Sequence, residues 1–260
     1  MPALEVDGVL LDLEGVLGVG GVEAIPGAPE AIDRLRRASV PFRVVTNTTT
    51  VSRKTLAREV RSMGLDVRPE ELHTAPVATA DYLRQHHRDQ PVFLLAKGDT
   101  AGDFEGIDLV EEGAGVVVVG GAEERFTYDA MNRAYRMLDA GASLVSMCRS
   151  TSWMTDEGLK LDAGPYVAAL EEAAGVRAMV CGKPAETFFI GALSHLGVRP
   201  DRAAMVGDDV VTDVLAAQSA GLTGVLVRTG KFRPADLDRH VGPDHVIDSV
   251  ADLPDLLGID

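Results

Sequence analysis

The chain has 260 residues, 46% of them hydrophobic, and a formal net charge of −15. This length and composition suffice for one large domain or two smaller ones with a buried core. The acidic balance disfavours nucleic acid and anionic membranes as partners, because phosphate-rich surfaces require basic residues for binding. A small phosphorylated ligand is not excluded, since one local cation can reverse the sign of the charge within a pocket.

The sequence also bears on the compartment in which the protein works. No apolar run reaches the roughly 18 residues of a membrane span. The first residues lack the basic region and the cleavage site of a signal peptide. The two cysteines, Cys148 and Cys181, form neither a disulfide framework nor a CxxC motif. We therefore expect a cytoplasmic protein.

Short β-rich runs alternate with helix-like segments along the whole chain. The predicted strands are 5–11, 42–46, 92–96, 116–119, 143–147, 178–181, 203–206 and 224–227. The predicted helices are 27–38, 52–63, 77–88, 127–139, 165–174, 185–196, 211–220 and 249–257. Strands such as 116–119 are apolar throughout, which is typical of a parallel sheet covered by helices on both faces. The alternation predicts an α/β fold with a doubly wound, mostly parallel sheet.

The first predicted strand ends in Asp12-Leu13-Glu14-Gly15. A glycine in that place lets the backbone turn tightly and approach a ligand closely. A carboxylate at the end of a buried strand could attack phosphorus and form an aspartyl phosphate. Taken alone, Asp12 could equally cap a loop or face solvent.

The second predicted strand ends in the polar run Thr46-Asn47-Thr48-Thr49-Thr50. Hydroxyl, amide and backbone N–H groups at the start of a helix make an anion site. One of these residues could instead simply cap helix 52–63. Thr46 and Asn47, nearest the strand, are the candidate phosphate ligands, and the later residues are assigned to capping.

Two weaker candidates, Arg149 and Trp153, fall in the polar stretch 148–158. Arg149 could meet a substrate anion, and Trp153 could pack on the body of the substrate. The alternative is an ordinary loop with one aromatic anchor. Both are retained as candidates for substrate specificity.

Lys183 lies in the constrained turn Gly182-Lys183-Pro184, just before a predicted helix. A lysine in this turn could neutralise a phosphoryl group and a nucleophilic carboxylate together. The alternative is a lysine that is merely solvated at the surface.

A second acidic motif follows the strand 203–206, which runs into Gly207-Asp208-Asp209 with Asp213 soon after. Asp208 could ligate a metal directly, and the other two aspartates could hold its waters or orient Lys183. The dipole of a helix N-terminus explains one aspartate well and three less well. If this strand lies beside the first strand, the carboxylates cannot all stay ionised without a cation. The predicted cofactor is Mg²⁺, which prefers oxygen ligands.

The positions of the two acidic motifs predict a discontinuous domain. In an open α/β sheet, ligands bind at the carboxyl ends of the strands. Both motifs therefore have to belong to one sheet, although they lie near opposite ends of the chain. We predict a catalytic core formed by 1–73 and 180–260, with an inserted α/β cap domain from 74–179.

Together these motifs resemble those of the haloacid dehalogenase superfamily. The segments LLDLEGVL, VVTNTT, GKP and GDDVVTD resemble its first to fourth motifs. The long insertion between the second and third motifs is similar to the C2-type cap of the NagD/p-nitrophenyl phosphatase-like subfamily. The resemblance implies a Rossmann-like hydrolase core, a cap that closes over the phosphoryl site and sets specificity, and the option of a homodimer formed through the caps.

The resemblance also implies roles for the candidate residues. It makes Asp12 the nucleophile and has Mg²⁺ bound by the carboxylates of Asp12 and Asp208 together with the backbone carbonyl of Glu14. The phosphoryl group would be held by Thr46, Asn47 and Lys183, and the metal site supported by Asp209 and Asp213. The implied substrate is a small phosphorylated molecule.

Glu14 departs from the family's pattern, in which an aspartate at this position protonates the leaving oxygen and then activates water. The glutamate carboxylate sits about 1.5 Å further out, and a misplacement of about 1 Å can cost about 10²-fold in rate. One hypothesis is a Mg²⁺-dependent phosphatase that works through an aspartyl phosphate, slowed by Glu14. The alternative is a nearly inactive protein of the same fold that binds Mg²⁺ and a phosphorylated ligand. A receiver-like signalling domain shares the acidic cluster, but it is much shorter and has no role for the central insertion.

Overall fold

The computed structural model describes residues 3–155 and 157–259. The chain forms two compact units. The first, here called the core unit, comprises the described parts of Met1–Thr46, Leu56–His73 and Lys183–Asp260. The second, here called the inserted unit, comprises the described parts of Asn47–Thr55 and Thr74–Gly182. The assignment of these parts as catalytic core and cap stays a prediction.

The secondary structure alternates between strands and helices, as the sequence predicts. The strands are β1 (Gly8–Asp12), β2 (Gly18–Val19), β3 (Glu23–Ala24), β4 (Phe42–Thr46), β5 (Leu72–Thr74), β6 (Val92–Leu95), β7 (Val116–Val119), β8 (Ser143–Ser146), β9 (Ser152–Thr155), β10 (Gly158–Leu161), β11 (Met179–Val180), β12 (Ala203–Gly207), β13 (Thr223–Val227) and β14 (His245–Ile247). The α-helices are α1 (Ala28–Arg37), α2 (Arg53–Ser62), α3 (Ala75–His86), α4 (Tyr128–Asp139), α5 (Ala163–Ala174), α6 (Glu186–Ser194), α7 (Ala216–Ser219) and α8 (Leu253–Leu256).

The core unit is built on a six-stranded sheet with the order β14-β13-β12-β1-β4-β5. Strand β1 runs parallel to both β12 and β4, with Leu11 opposite Val206 and Asp12 opposite Val45. Every residue of β1 is buried, as expected for a central strand that helices cover on both faces. The carboxyl ends of β12, β1 and β4 therefore meet at one edge of the sheet, as the placement of the acidic motifs predicts.

The inserted unit has its own four-stranded sheet, with the order β11-β8-β7-β6 and parallel pairing throughout. The segment Asn47–Thr55 belongs to this unit, although the sequence-based boundary places it in the core. Hydrogen bonds explain the difference. The carboxylate of Asp99 accepts from the backbone N–H of Ser52 at 2.8 Å and from the hydroxyl of Thr55 at 2.6 Å. The hydroxyl of Thr49 accepts from the N–H of Gly121 at 2.9 Å.

The sequence missed several short elements. These are the hairpins β2–β3 and β9–β10 and the strands β5 and β14, each with two to four residues per strand. Such strands carry too few residues for an apolar pattern to stand out. The predicted helix 211–220 is a π-helical segment, Val210–Leu215, that continues into α7. The predicted helix 249–257 consists of a 3₁₀ turn, Val250–Asp252, followed by α8.

The helices also bear on membrane insertion. Within the described parts of the chain, no helix combines the length and the apolar character that crossing a membrane requires.

Candidate active site

Three carboxylates meet at the carboxyl edge of the core sheet. Asp12 is the last residue of β1, and Asp208 follows directly after β12. Asp213 lies in the segment that follows Asp208. One carboxylate oxygen from each of these residues lies within 4.8 Å of those of the other two, and all three residues are buried. Residues nearly two hundred positions apart thus form one acidic cluster, here called the acidic triad.

The segment after β12 explains how Asp213 reaches the triad. The Oδ1 atom of Asp209 accepts hydrogen bonds from the backbone N–H groups of Val211 and Thr212, each at 3.0 Å, and so caps the π-helical segment. A Cβ atom on Gly207 would lie 2.3 Å from the Cβ of Asp213, so only glycine fits there. Short π-helical turns are often found at functional sites because they redirect one side chain. Here the turn directs Asp213 toward the end of β1.

Lys183 supplies the cation of the cluster. Its Nζ atom lies 2.6 Å from Oδ1 of Asp12 and 2.7 Å from Oδ1 of Asp213. The lysine side chain is only 5% exposed, so solvent screens these contacts weakly. One ammonium group therefore faces three buried carboxylates.

The protonation equilibria reflect this excess of negative charge. Burial raises the pKa of Asp12 to about 7; the ammonium group of Lys183 acts in the opposite direction, and repulsion from Asp213 adds to the rise. Burial likewise raises the pKa of Asp208 to about 6, against a hydrogen bond from the backbone of Lys231. Burial alone would lower the pKa of Lys183, but its two carboxylate neighbours outweigh that effect and raise it. The lysine stays charged, and the carboxyl groups of Asp12 and Asp208 resist ionisation.

The donor set of the triad fits a divalent cation. The Oδ2 atom of Asp208 accepts from the backbone N–H of Lys231 at 2.7 Å. Its Oδ1 atom is buried and has no hydrogen-bond partner within the described part of the chain. An unsatisfied buried carboxylate oxygen is costly unless an ion or another donor occupies the site. Oxygen ligands of this kind suit Mg²⁺. Asp213 is itself one of the three carboxylates, whereas the sequence assigns it only a supporting role.

Glu14 is exposed, but its carboxylate makes a hydrogen bond within its own loop. Its Oε1 atom accepts a hydrogen bond from the backbone N–H of Gly20 at 2.7 Å. Gly20 lies in the turn between β2 and β3, and Glu14 also forms an isolated parallel bridge with Gly18. The side chain that the sequence predicts to act in acid–base catalysis is thus hydrogen-bonded to this hairpin.

The remaining predicted residues are distributed over both units. Thr46 is buried at the end of β4, in the core unit. Asn47 belongs to the inserted unit, where its Oδ1 atom lies beside Gly182. Arg149, also in the inserted unit, places Nη1 2.7 Å from Oε1 of Glu171. Trp153 lies in the β9–β10 hairpin and is 42% exposed.

Sequence reasoning missed the residues that follow β13. The backbone N–H of Lys231 binds Asp208, and the hydroxyl of Thr229 donates to the carbonyl oxygen of Gly15 at 2.5 Å. A signal was present, since the polar run Arg228-Thr229-Gly230-Lys231 follows a predicted strand. The rule that ligands bind at the carboxyl ends of parallel strands applies equally to this run.

Two segments of the chain match family models, and both models describe haloacid dehalogenase-like hydrolases. Residues 9–110 match the haloacid dehalogenase-like hydrolase model, and residues 180–253 match a HAD-hydrolase-like model. The first match contains Asp12, and the second contains Lys183, Asp208 and Asp213.

Individual relatives are similar to this chain over nearly its whole length. The sequence is 40% identical over 231 residues to haloacid dehalogenase-like hydrolase domain-containing protein 2 of Bos taurus, covering 89% of this chain and 87% of that protein. It is 39% identical over 259 residues to the phospholysine phosphohistidine inorganic pyrophosphate phosphatase of Homo sapiens, covering 97% and 94%. The fold is similar to that of the p-nitrophenyl phosphatase from Archaeoglobus fulgidus, with a TM-score of 0.91, 28% identity, and coverage of 97% and 99%. The chain belongs to the haloacid dehalogenase-like hydrolase family.

Proposed function

We propose that this protein is a Mg²⁺-dependent phosphatase that hydrolyses small phosphorylated molecules through an aspartyl phosphate on Asp12. The single observation that carries the proposal is the contact of Asp12 with Lys183 at 2.6 Å inside a buried triad of carboxylates. This contact supports the roles that we propose for Asp12 as the nucleophile, for Lys183 as the phosphate-binding cation and for the carboxylates as metal donors. Membership of a hydrolase family supports the same reaction class.

In the first half of the reaction, a carboxylate oxygen of Asp12 attacks phosphorus and the bond from phosphorus to the leaving group breaks. Lys183 neutralises charge on the transferred phosphoryl group, where a fixed cation in a buried site acts most strongly. Thr46 and Asn47 are proposed to donate to the remaining phosphoryl oxygens. The leaving atom takes a proton from Glu14.

In the second half, water attacks the phosphorus of the aspartyl phosphate while Glu14 accepts a proton from it. The bond between phosphorus and the Asp12 oxygen breaks, which releases inorganic phosphate and restores the carboxylate. Mg²⁺, held by Asp12, Asp208 and the carbonyl of Glu14, would supply positive charge that keeps the nucleophile ionised and the phosphoryl oxygens neutralised. Asp213 holds Lys183 at 2.7 Å between the two carboxylates, which orients the ammonium group toward Asp12.

The substrate class is proposed from the relatives and from the leaving group. One relative is named for phospholysine, phosphohistidine and inorganic pyrophosphate, and a structural neighbour is named for p-nitrophenyl phosphate. Nitrophenolate and phosphate depart more easily than an alkoxide does, and the nitrogen of a phosphoramidate that already carries a proton departs as a neutral amine or imidazole. Such substrates demand less of a general acid, which matches a site whose Glu14 is already engaged by Gly20. We expect phosphoramidates, pyrophosphate and p-nitrophenyl phosphate to be hydrolysed faster than sugar phosphates.

The experiment that tests the reaction class traps the intermediate. Enzyme with Mg²⁺ is mixed with each substrate, quenched in acid and analysed by peptide mass spectrometry. The expected result is phosphorylation of Asp12 that requires Mg²⁺, is present during turnover and disappears once the substrate is consumed. Steady release of phosphate with no modification of Asp12 would contradict the mechanism.

A second candidate function is a nearly inactive protein that binds Mg²⁺ and a phosphorylated ligand. The hydrogen bond from Gly20 to Glu14 favours it, because a carboxylate held by the hairpin is a poor proton shuttle. The two candidates differ in their response to Glu14→Asp, with Glu14→Gln as the matched variant that cannot carry a proton. In a working phosphatase, Glu14→Gln loses about 10²–10⁴-fold in kcat, and Glu14→Asp also loses activity. In the inactive protein, Glu14→Gln changes nothing, and Glu14→Asp raises turnover by about 10²-fold.

A further inference from the structure

The loop that follows β13 contacts Asp208, which follows β12, and Gly15, which lies in the loop after β1. The Lys231 N–H donates to Oδ2 of Asp208 at 2.7 Å, and the Thr229 hydroxyl donates to the Gly15 carbonyl at 2.5 Å. The loop itself is anchored at its two ends. The N–H of Arg228 donates to Ile247 at 3.1 Å, and Phe232 packs against the apolar cluster formed by Val210, Val214 and Leu226.

Two glycines allow this close approach. A Cβ atom on Gly15 or on Gly230 would lie 2.0 Å from Oδ2 of Asp208 in either case. Both residues also have positive φ, at 80° and 63°, which other L residues rarely adopt. Asp208 therefore lies between two backbone segments with no room for a side chain on either. Its rotamer is fixed by this packing and by the hydrogen bond from Lys231.

The two carboxylate oxygens of Asp208 therefore lie in different environments. Oδ2 accepts the hydrogen bond from the loop. Oδ1 is buried and has no hydrogen-bond partner among the described residues. Asp208 is one of the three carboxylates of the triad. A carboxylate that is held through one oxygen presents the other in one direction. Groups that orient a metal ligand in this way typically contribute about 10–100-fold to metal affinity.

We propose that Thr229–Lys231 is a positioning loop for the metal site, a role that rests on the proposed binding of Mg²⁺ by Asp12, Asp208 and the carbonyl of Glu14. The Lys231 N–H and Gly230 set the orientation of Asp208. Thr229 fixes the carbonyl of Gly15 and so holds the preceding peptide, whose carbonyl belongs to Glu14. The loop thus positions two metal ligands for the same ion, the carbonyl of Glu14 after β1 and the carboxylate of Asp208 after β12.

The test is a calorimetric titration of the full chain with MgCl₂ in the absence of substrate, with kcat and KM for p-nitrophenyl phosphate measured alongside. Thr229→Val removes the hydroxyl donor and keeps the shape, and we expect about 10-fold weaker Mg²⁺ binding. Thr229→Ser keeps the donor and restores most of the affinity. Gly230→Ala introduces the clash with Asp208 and weakens binding by about 10²-fold. For Thr229→Val, kcat recovers at high Mg²⁺, which a general loss of structure would not allow.

The matched control is Gly64→Ala. Gly64 also has positive φ, at 87°, but a Cβ atom there would meet nothing within 4 Å. This variant carries the backbone strain without the clash, so its Mg²⁺ affinity should equal that of the wild type. If Gly230→Ala does not fold, the pair Thr229→Val and Thr229→Ser decides the question.

The outcomes separate this inference from the proposed function. Loop variants that bind Mg²⁺ as tightly as the wild type overturn the positioning role, even if the wild type hydrolyses phosphate esters. Weakened Mg²⁺ binding in these variants, together with no turnover by the wild type, supports the positioning role and refutes the phosphatase. A wild-type chain that does not bind Mg²⁺ overturns both.

Discussion

Two buried carboxyl groups of this molecule are almost equally exposed, but their pKa values are shifted in opposite directions. Glu171 in the inserted unit is 5% exposed, and Asp12 in the core unit is 6% exposed. Burial raises the pKa of Glu171, but hydrogen bonds from the Ala178 N–H and the Arg149 guanidinium outweigh it, so the pKa falls below its usual value. Burial raises the pKa of Asp12 to about 7 even though Lys183 is in contact with it.

The difference lies in the balance of charge and donors. Glu171 receives enough donors to stay ionised, and Arg149, a candidate for substrate binding from the sequence, is one of them. The acidic triad has three carboxylates and one ammonium group, so it is left short of positive charge. A satisfied ion pair indicates a structural role, whereas a strongly perturbed cluster indicates a functional one. Four substitutions test this contrast.

The largest effect is expected for Asp12→Asn. The amide cannot act as the nucleophile, so kcat for p-nitrophenyl phosphate should fall on the order of 10⁴-fold or more. The control is Asp33→Asn, which makes the same change on an exposed part of α1. Steady-state phosphate release compares the two variants, and residual activity of Asp12→Asn near the wild-type level would remove Asp12 from the mechanism.

Lys183→Met should lower kcat/KM by about 10²–10³-fold, because the phosphoryl group loses its fixed cation. The variant keeps most of the length of the side chain but leaves Asp12 and Asp213 without their shared partner. Kinetics at saturating Mg²⁺ measure the loss. A change confined to thermal stability, with normal kcat/KM, would make Lys183 a structural residue.

Asp208→Asn should reduce the loss of stability that the metal-free protein shows as pH rises. The pKa of Asp208 is raised in the folded state, from 3.8 to about 6, so its ionisation removes stability as pH rises through that range. With chelator present, the variant should equal the wild type near pH 4 and exceed it at pH 8, by up to about 3 kcal/mol. Mg²⁺ should stabilise the wild type only. Denaturant unfolding at the two pH values measures this, and parallel pH profiles would contradict it.

The smallest effect is expected for Glu171→Gln, which breaks a satisfied pair. The free energy of unfolding of the inserted unit should fall by about 2 kcal/mol, the value of a hydrogen bond to a charged group. The kcat of the folded enzyme should not change. Chemical denaturation and kinetics on the same sample provide the two readings, and a loss of kcat without a loss of stability would assign this ion pair to catalysis.

Much of the fold and the triad could be predicted from the sequence, because both depend on strong local signals. Runs such as Val116–Val119 mark buried strands, and the parallel pairing of β1 with β12 brings Asp12 and Asp208 to one edge. The family prediction is confirmed by the matching models. The roles of the individual site residues stay predictions.

Other features depend on contacts between residues distant in sequence and could not be predicted. Nothing around Arg149 indicates that Glu171 would bind it. The change from helix to π-helix at Val210–Leu215, which directs Asp213 into the triad, leaves no pattern in so short a segment. The hydrogen bond from Gly20 to Glu14 requires the turn of a hairpin only two residues long on each strand.

The most direct test of the account is a crystal structure of the protein soaked with Mn²⁺, which can replace Mg²⁺ and is located by its anomalous signal. The account predicts one strong peak at the carboxyl edge of the core sheet, with carboxylate oxygens of both Asp12 and Asp208 about 2.1–2.2 Å from it. A peak elsewhere, or an ion bound by Asp208 while Asp12 stays in contact with Lys183 alone, would contradict the claim that the two strands share one metal.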